Sequence, residues 1–174
     1  MSRSSSAIRS ISRSARTQPT RPRSCRRRSR HSRVRTEREA VVIVRRGEQF
    51  LMLHRVPDDY WHVVAGAAEP HETFAEAAAR ELVEETGLHA AVADLAMPQT
   101  YAVPEMLRHE YGPGIEVVTI GNFSVAVPPE WEPTLNEEHD RYRWCGLSEA
   151  ILLEHWPETM EILAALGAPK LEAR

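Results

Sequence analysis

Residues 73–87, TFAEAAARELVEETG, form the most restrictive segment of the sequence, because their order predicts one helix with an unusual face. Thr73 is a good N-cap with Glu76 three residues later, the alanines favour helix, and Gly87 ends it. At 100° per residue, the apolar Phe74, Ala77 and Ala78 share one side with acidic residues of the last turns. A helix with such a face has to pack against a larger body.

Three glutamates, Glu81, Glu84 and Glu85, stand at positions i, i+3 and i+4 of this helix. Glu81 and Glu85 continue the apolar face and Glu84 lies at its flank, so the carboxylates repel each other at a cost of a few tenths of a kcal/mol per pair. A solvated face is one explanation, and a bound divalent cation is the other. The cation is favoured because a carboxylate aimed toward the body of a protein needs a partner, and Arg80 is the nearest cation in sequence.

The sequence around this helix predicts a sheet with mixed strand directions. EAVVIVRRGEQFLMLHR (39–55) is typical of two strands joined by a turn at Gly47, and WHVVAG (61–66) of a short strand running into a loop. Further strands are predicted at 99–103, 115–127 and 141–146, with a short helix capped by Ser148 and a last amphipathic helix starting at Pro157. Strands and helices without strict alternation indicate an α/β domain whose mixed sheet is covered on both faces.

Composition divides the 174 residues into two parts. Residues 1–36 contain twelve Arg, ten Ser and no Asp or Glu, which leaves ten basic against 25 acidic residues in 37–174. Because this polar tail cannot bury enough apolar surface to fold, we predict disorder for residues 1–36 and one folded domain over residues 37–170. The tail fits three interpretations: an organelle transit peptide, an arm that binds RNA or DNA phosphates non-specifically, or an extension without function.

Other classes of protein are disfavoured by what the sequence lacks. It has no run of 18 apolar residues that would span a membrane. Its two cysteines, Cys25 and Cys145, make neither a disulfide framework nor a metal knuckle. We therefore expect a cytoplasmic protein, with organelle import through the tail as the alternative; the sequence gives no indication of oligomeric state.

The glutamates also belong to a longer pattern with fixed spacing. Gly66 is followed after five residues by Glu72 and after seven more by RELVEETGL, residues 80–88. Nine positions match, without a gap, the Nudix box Gly-x5-Glu-x7-Arg-Glu-U-x-Glu-Glu-x-Gly-U, in which U is a bulky aliphatic residue. The chain thus resembles the Nudix hydrolases, which implies an α/β/α sandwich and cation-dependent hydrolysis of a nucleoside diphosphate linked to a further group. Family members usually have glycine where this chain has Ala65 and His71.

The resemblance also implies roles for individual residues. Glu84 and Glu85 correspond to the central ligands of Mg²⁺, with Mn²⁺ as an alternative, and Glu81 to a ligand or the catalytic base. Arg80 would orient a carboxylate by ion pairing, and Glu72 would reach the metal network or hold the loop. Glu138, in the run NEEHD, would be another metal ligand or the base; a surface position is the alternative.

Substrate preference rests on a weaker resemblance over about residues 38–166. WHVVAG, LRHEYGPG and EHDRYRW are similar to bacterial Nudix enzymes that hydrolyse dihydroneopterin triphosphate and also accept dATP. A ring needs a plane to stack on and a phosphate chain needs arginine, so the expected substrate-binding residues are Trp61, Tyr101, Arg108 and Tyr111. Other (d)NTPs, dinucleoside polyphosphates and nucleotide sugars remain alternatives, as do a catalytically silent nucleotide sensor and an RNA-binding protein.

Overall fold

The structure is a computed structural model, and it describes residues 35–56 and 58–167. Within these ranges the chain forms eight strands, three α-helices and one 3₁₀ helix. The strands are β1 (Arg38–Arg46), β2 (Gln49–Arg55), β3 (Tyr60–His62), β4 (Val64–Ala67), β5 (Ala93–Asp94), β6 (Gln99–Ala102), β7 (Val117–Ala126) and β8 (His139–Cys145). The helices are α1 (Phe74–Thr86), the 3₁₀ helix (Glu105–Glu110), α2 (Leu147–Leu153) and α3 (Pro157–Gly167).

All eight strands described belong to one mixed sheet. Its central path runs β3-β2-β1-β7-β5, while β4 pairs with β1, β6 with β7 and β8 with β2. The β1–β7 pair is parallel, from Arg38 opposite Thr119 to Arg45 opposite Ala126, and the other pairs are antiparallel. The predicted mixed sheet is confirmed.

Strand β1 shows how the sheet is covered on both faces. Because side chains alternate along a strand, Val42 and Val44 join a buried cluster with α1, whereas Val41 and Ile43 join a second cluster with α2 and α3. All four are at most 5% exposed, and burying each such side chain contributes roughly 1.5–3 kcal/mol. The predicted α/β/α sandwich is therefore confirmed.

Helix α1 begins and ends where the sequence predicts. The Thr73 hydroxyl accepts a hydrogen bond from the Glu76 amide, and the Glu76 carboxylate accepts one from the Thr73 amide, which completes a capping box. At the other end Gly87 has a φ of 72°, a left-handed conformation that glycine adopts without a Cβ penalty. These caps fix the register of the acidic face.

Several elements differ from the sequence prediction in detail. WHVVAG continues as two short strands, β3 and β4, and β8 starts at His139, two residues earlier than predicted. Ser148 is not the cap of α2: Gly146 occupies that position and Ser148 lies in the first turn. Strand β5 and the 3₁₀ helix were not predicted, because two paired residues and a single tight turn leave little periodicity to detect.

The folded domain begins slightly before the predicted boundary. The Arg35 amide donates a hydrogen bond to the Glu110 carbonyl and its own carbonyl accepts one from Gly112, so residues 35 and 36 belong to the domain and not to the tail. The disorder and binding roles predicted for the rest of the tail fall outside the described residues, as does Cys25. Among the helices that the structure describes, none has the length and apolar character needed to cross a membrane.

Candidate active site

The C-terminal half of α1 carries the acidic face that the sequence predicts. Glu85 is buried at 4% exposure among the apolar residues of the helix, Glu81 is mostly buried, and the Glu84 side chain is 46% exposed. The helix packs on β4 and β1, so the carboxylates of Glu81 and Glu85 point toward the sheet. Their burial excludes the interpretation of a fully solvated face.

Arg80 ties the start of this face to the loop before the helix. Its Nε and Nη2 donate to the two oxygens of Glu72 at 2.7 and 2.9 Å, Nη2 also donates to the Ala67 carbonyl, and Nη1 donates to Glu81 Oε1. The hydrogen bonds with Glu72, and then the nearby Glu81, raise the pKa of Arg80. Glu72 also accepts from the Glu69 amide, so of its two expected roles the structure supports holding the loop.

The buried carboxylates are electrostatically unfavourable as they stand. Burial, and then the neighbouring Glu81 charge, raise the pKa of Glu85 well above its usual range. Its Oε2 is buried, and no hydrogen-bond partner for it exists among the described residues. Burial raises the pKa of Glu81 to about 7, against the opposing effect of Arg80.

Glu138 reaches the same cluster from a distant part of the sequence. It immediately precedes β8, and its negative charge contributes to the raised pKa of both Glu81 and Glu85. Its Oε2 accepts a hydrogen bond from Arg55 Nη1 at 2.7 Å. The fold therefore brings Glu138 to the acidic face of α1, and Arg55 comes with it.

The residues of this cluster fit a divalent cation by their chemistry. Carboxylate oxygens are the donors that Mg²⁺ prefers, and a cation would supply the partner that Glu85 Oε2 lacks within the described residues. In residues 35–56 and 58–167, however, no three His, Cys, Asp or Glu side chains are arranged ready to hold a metal ion. Glu84 lies 3.7 Å from Arg80 and Glu138 is paired with Arg55, so each of these carboxylates has a cationic partner in this structure.

Gly66 explains how α1 comes so close to the sheet. A Cβ built at Gly66 would overlap the carboxylate of Glu81, so any other residue at this position would displace that carboxylate. The two neighbouring departures from the family pattern do not disturb the loop: among the described non-glycine residues only Asp59 and Ala96 have positive φ. Ala65 and His71 therefore need no left-handed backbone.

A cavity of about 270 Å³ adjoins the acidic cluster on the other side of Gly66. Gly66, Ala65 and Arg55 form the part of its wall nearest the cluster. Its aromatic lining comprises Tyr60, His62, Tyr101, Tyr111 and Trp156. Apolar walls with a few convergent polar groups are typical of a site for a small molecule.

Two polar side chains of the cavity wall are already engaged in holding the fold. The buried Glu154 accepts hydrogen bonds from the amides of Val63, His155 and Trp156, and burial raises its pKa to about 7. His62 Nε2 lies 2.9 Å from His139 Nε2, and burial lowers the pKa of His62 to about 3. His62 is therefore neutral near pH 7, and both side chains are engaged in holding the fold.

The structure brings two of the four expected substrate-binding residues into this cavity. Tyr101 and Tyr111 line it, whereas Trp61 and Arg108 do not. Tyr60 and His62 face the cavity, so by strand alternation Trp61 faces away, where its ring lies 5.1 Å from that of His54 and 5.1 Å from the Arg143 guanidinium. Arg108 is exposed on the 3₁₀ helix.

Sequence reasoning missed several residues of the site. Arg55 ends β2 and lies in no recognisable motif. To predict Tyr60, one would have to know which face of β3 lies toward the cavity. Glu39 had a usable signal, since it is a charged residue at the start of an apolar strand and also lines the cavity. Glu154 offered no signal.

Comparison with known proteins identifies relatives of the same architecture. The model of the family described as NUDIX domain matches residues 35–166. Dihydroneopterin triphosphate diphosphatase of Escherichia coli (strain K12) is 31% identical over 129 residues, which are 70% of this chain and 85% of that protein. The structure of the E. coli dihydroneopterin triphosphate pyrophosphohydrolase aligns with a TM-score of 0.68 and 27% identity, covering 74% of this chain and 93% of that one.

A further relative is much longer than this chain. Octanoyltransferase of Myxococcus xanthus is 36% identical over 121 residues, which are 68% of this chain. The match spans only 32% of that protein. Its name therefore describes a protein of which this chain resembles about a third.

Proposed function

The chain belongs to the NUDIX domain family, and from that membership we propose that it hydrolyses the diphosphate linkage of a nucleoside-triphosphate-like substrate and releases pyrophosphate. The observation that most supports this is the meeting of Glu81, Glu85 and Glu138 beside Gly66, at one edge of an aromatic cavity. Dihydroneopterin triphosphate is the first candidate substrate, because the relative named a dihydroneopterin triphosphate diphosphatase aligns over most of both chains, and dATP is the second, from the resemblance carried by WHVVAG, LRHEYGPG and EHDRYRW.

We propose Glu81, Glu84, Glu85 and Glu138 as the ligands of a divalent cation, Mg²⁺ or Mn²⁺. A bound cation would supply neutralisation of phosphate charge at the reacting centre. The four carboxylates would hold it in place, and Arg80 would keep Glu81 oriented through its fork with Glu72. Glu81 or Glu138 would accept the proton of the attacking water.

The cavity would receive the ring of the substrate and leave its phosphates at the acidic edge. At about 270 Å³ it lies below the usual range for drug-sized ligands, so it suits a ring better than a whole nucleotide. Tyr60, Tyr101 and Tyr111 provide surfaces for packing against a ring. Arg55, between cavity and cluster, is placed to exchange its carboxylate partner for a phosphate oxygen.

The test is a hydrolysis panel with the full chain in Mg²⁺ and in EDTA. The panel holds dihydroneopterin triphosphate, the four dNTPs, a dinucleoside tetraphosphate and ADP-ribose, and pyrophosphate and monophosphate are measured separately. We expect cation-dependent pyrophosphate release from a triphosphate. Absence of any hydrolysis, together with no calorimetric binding of Mg²⁺ or Mn²⁺ alongside a non-cleavable nucleotide, would refute the proposal.

A further inference from the structure

The cavity wall contains a chain of hydrogen bonds whose direction is fixed by chemistry. Arg35 Nη1 lies 3.3 Å from the Tyr111 hydroxyl, that hydroxyl lies 2.7 Å from the Tyr101 hydroxyl, and Tyr101 donates to Glu39 Oε1 at 3.0 Å. A guanidinium can only donate and an ionised carboxylate can only accept. Each tyrosine proton therefore points toward Glu39, and the chain ends in an acceptor.

These hydrogen bonds keep Glu39 a hydrogen-bond acceptor, although burying its carboxylate costs free energy. The Glu39 side chain is 19% exposed, and the Arg35 guanidinium remains 3.9 Å from Oε1, so no direct fork neutralises the carboxylate. A mostly dry carboxylate gains from any additional N–H donor that a ligand brings. The cavity thus offers a negative acceptor on the wall made by β1 and β6.

The other buried acid of the cavity is less suited to a ligand. Glu154 already accepts three backbone amides, which hold β3 and β4 to the segment after α2. His62 is occupied by His139. Glu158, at the start of α3, is partly exposed and lies near enough to Glu39 for their charges to repel, so it is the rival acceptor.

We propose that Glu39 is the residue that selects the substrate ring, by accepting hydrogen bonds from an edge with neighbouring imino and amino donors. A 2-amino-4-oxo pyrimidine edge, as in guanine or a pterin, presents such a pair of donors. Adenine presents a ring-nitrogen lone pair at the equivalent place and would set acceptor against acceptor. The inference rests on the proposed function and separates its two first candidates: the pterin is accepted and dATP is disfavoured.

The experiment compares kcat/KM for dGTP, dITP and dATP with the full chain in Mg²⁺. dITP keeps the imino donor and lacks only the amino group, so we expect dGTP above dITP and dITP above dATP, with roughly 10–100-fold between the extremes. Glu39→Gln replaces one acceptor oxygen by a donor and should reduce that ratio to about threefold or less. Tyr101→Phe leaves the carboxylate in place and removes the hydrogen bond that Tyr101 donates to it, so it should reduce the ratio in part.

Two variants of α3 make the same charge change as Glu39→Gln: Glu161→Gln is the control, and Glu158→Gln tests the rival acceptor. Glu161→Gln alters a carboxylate that bonds Gln99 and does not line the cavity, so the dGTP to dATP ratio should stay as in the wild type. If instead Glu158→Gln removes the preference and Glu39→Gln does not, the assignment to Glu39 is wrong. Equal rates for dGTP and dATP in the unmodified chain also overturn it, whatever the variants do.

Failure of this inference can be told apart from failure of the proposed function. Hydrolysis without ring preference removes the role of Glu39 and leaves the hydrolase in place. If nothing is hydrolysed, calorimetry with α,β-methylene dGTP and dATP still decides: tighter binding of the guanine analogue that Glu39→Gln abolishes supports the role, and equal or absent binding overturns it.

Discussion

Glu84→Gln should separate activity from stability more sharply than any other change in the cluster. Its side chain is 46% exposed, and its ion pair with Arg80 spans 3.7 Å. An exposed pair of this kind is worth about 0–1 kcal/mol, and removing the Glu84 charge, which repels Glu81, returns a few tenths. We therefore expect the free energy of unfolding to change by less than about 0.5 kcal/mol.

The effect on catalysis should be far larger, because the amide would replace a proposed charged ligand. We expect kcat to fall at least a hundredfold, which corresponds to about 2.7 kcal/mol of lost transition-state stabilisation. The assay is pyrophosphate release over a range of Mg²⁺ concentrations, run beside urea unfolding of the same preparations. A loss confined to activity is the signature of a ligand, since a structural residue would lose both.

Glu76→Gln is the matched control on the same helix. Glu76 lies exposed in the first turn, and within the described part of the chain its carboxylate accepts hydrogen bonds from the amide and hydroxyl of Thr73, which form the capping box. Glutamine serves this position as well, so both stability and turnover should remain near the wild type. If Glu84→Gln keeps its activity and its Mg²⁺ dependence within about threefold of this control, the proposed ligand set is wrong.

Three further changes test the geometry around the cluster. Glu85→Gln should raise the melting temperature in EDTA relative to the wild type, and the difference should grow from pH 5 to pH 8. The reason is that burial raises the Glu85 pKa, so the folded wild type retains a proton that the unfolded chain releases above about pH 4.3. If the Glu85 carboxylate is solvated instead, calorimetry should show no dependence of this difference on pH. Gly66→Ala should lower turnover at least tenfold and the free energy of unfolding by about 1–3 kcal/mol, because its methyl overlaps Glu81. Gly146→Ala is the control: its methyl meets open space, so turnover should stay at the wild-type value, and the urea titration should show a loss of no more than about 1 kcal/mol, because alanine is a poorer N-cap of α2 than glycine. Arg80→Lys should lower the free energy of unfolding, measured in urea, by about 1–3 kcal/mol and should reduce kcat, because lysine cannot reproduce the two-nitrogen fork to Glu72. Unchanged turnover would show that the fork does not orient Glu81.

The parts of the site that the sequence predicted correctly are those held together by one helix and its caps. Thr73, Gly87 and the spacing of Glu81, Glu84 and Glu85 are local features, and helical geometry alone places them on one face. Gly66 and Glu72 were also predicted from the fixed spacing of the motif. Only the structure shows that a Cβ at Gly66 would overlap Glu81 and that Glu72 accepts the fork of Arg80. The ligand roles remain predictions.

Only the tertiary structure decided which residues from other elements meet this helix. Glu138 and Arg55 pair across 83 residues, and Tyr101 reaches Glu39 across 62, because strands distant in sequence become neighbours in the sheet. That Tyr60 and not Trp61 lines the cavity has the same origin: side chains alternate along a strand, so one residue of register decides whether a ring lines the cavity or, like Trp61, packs against the buried cluster of α2 and α3. The pairing that sets the register lies outside the strand itself.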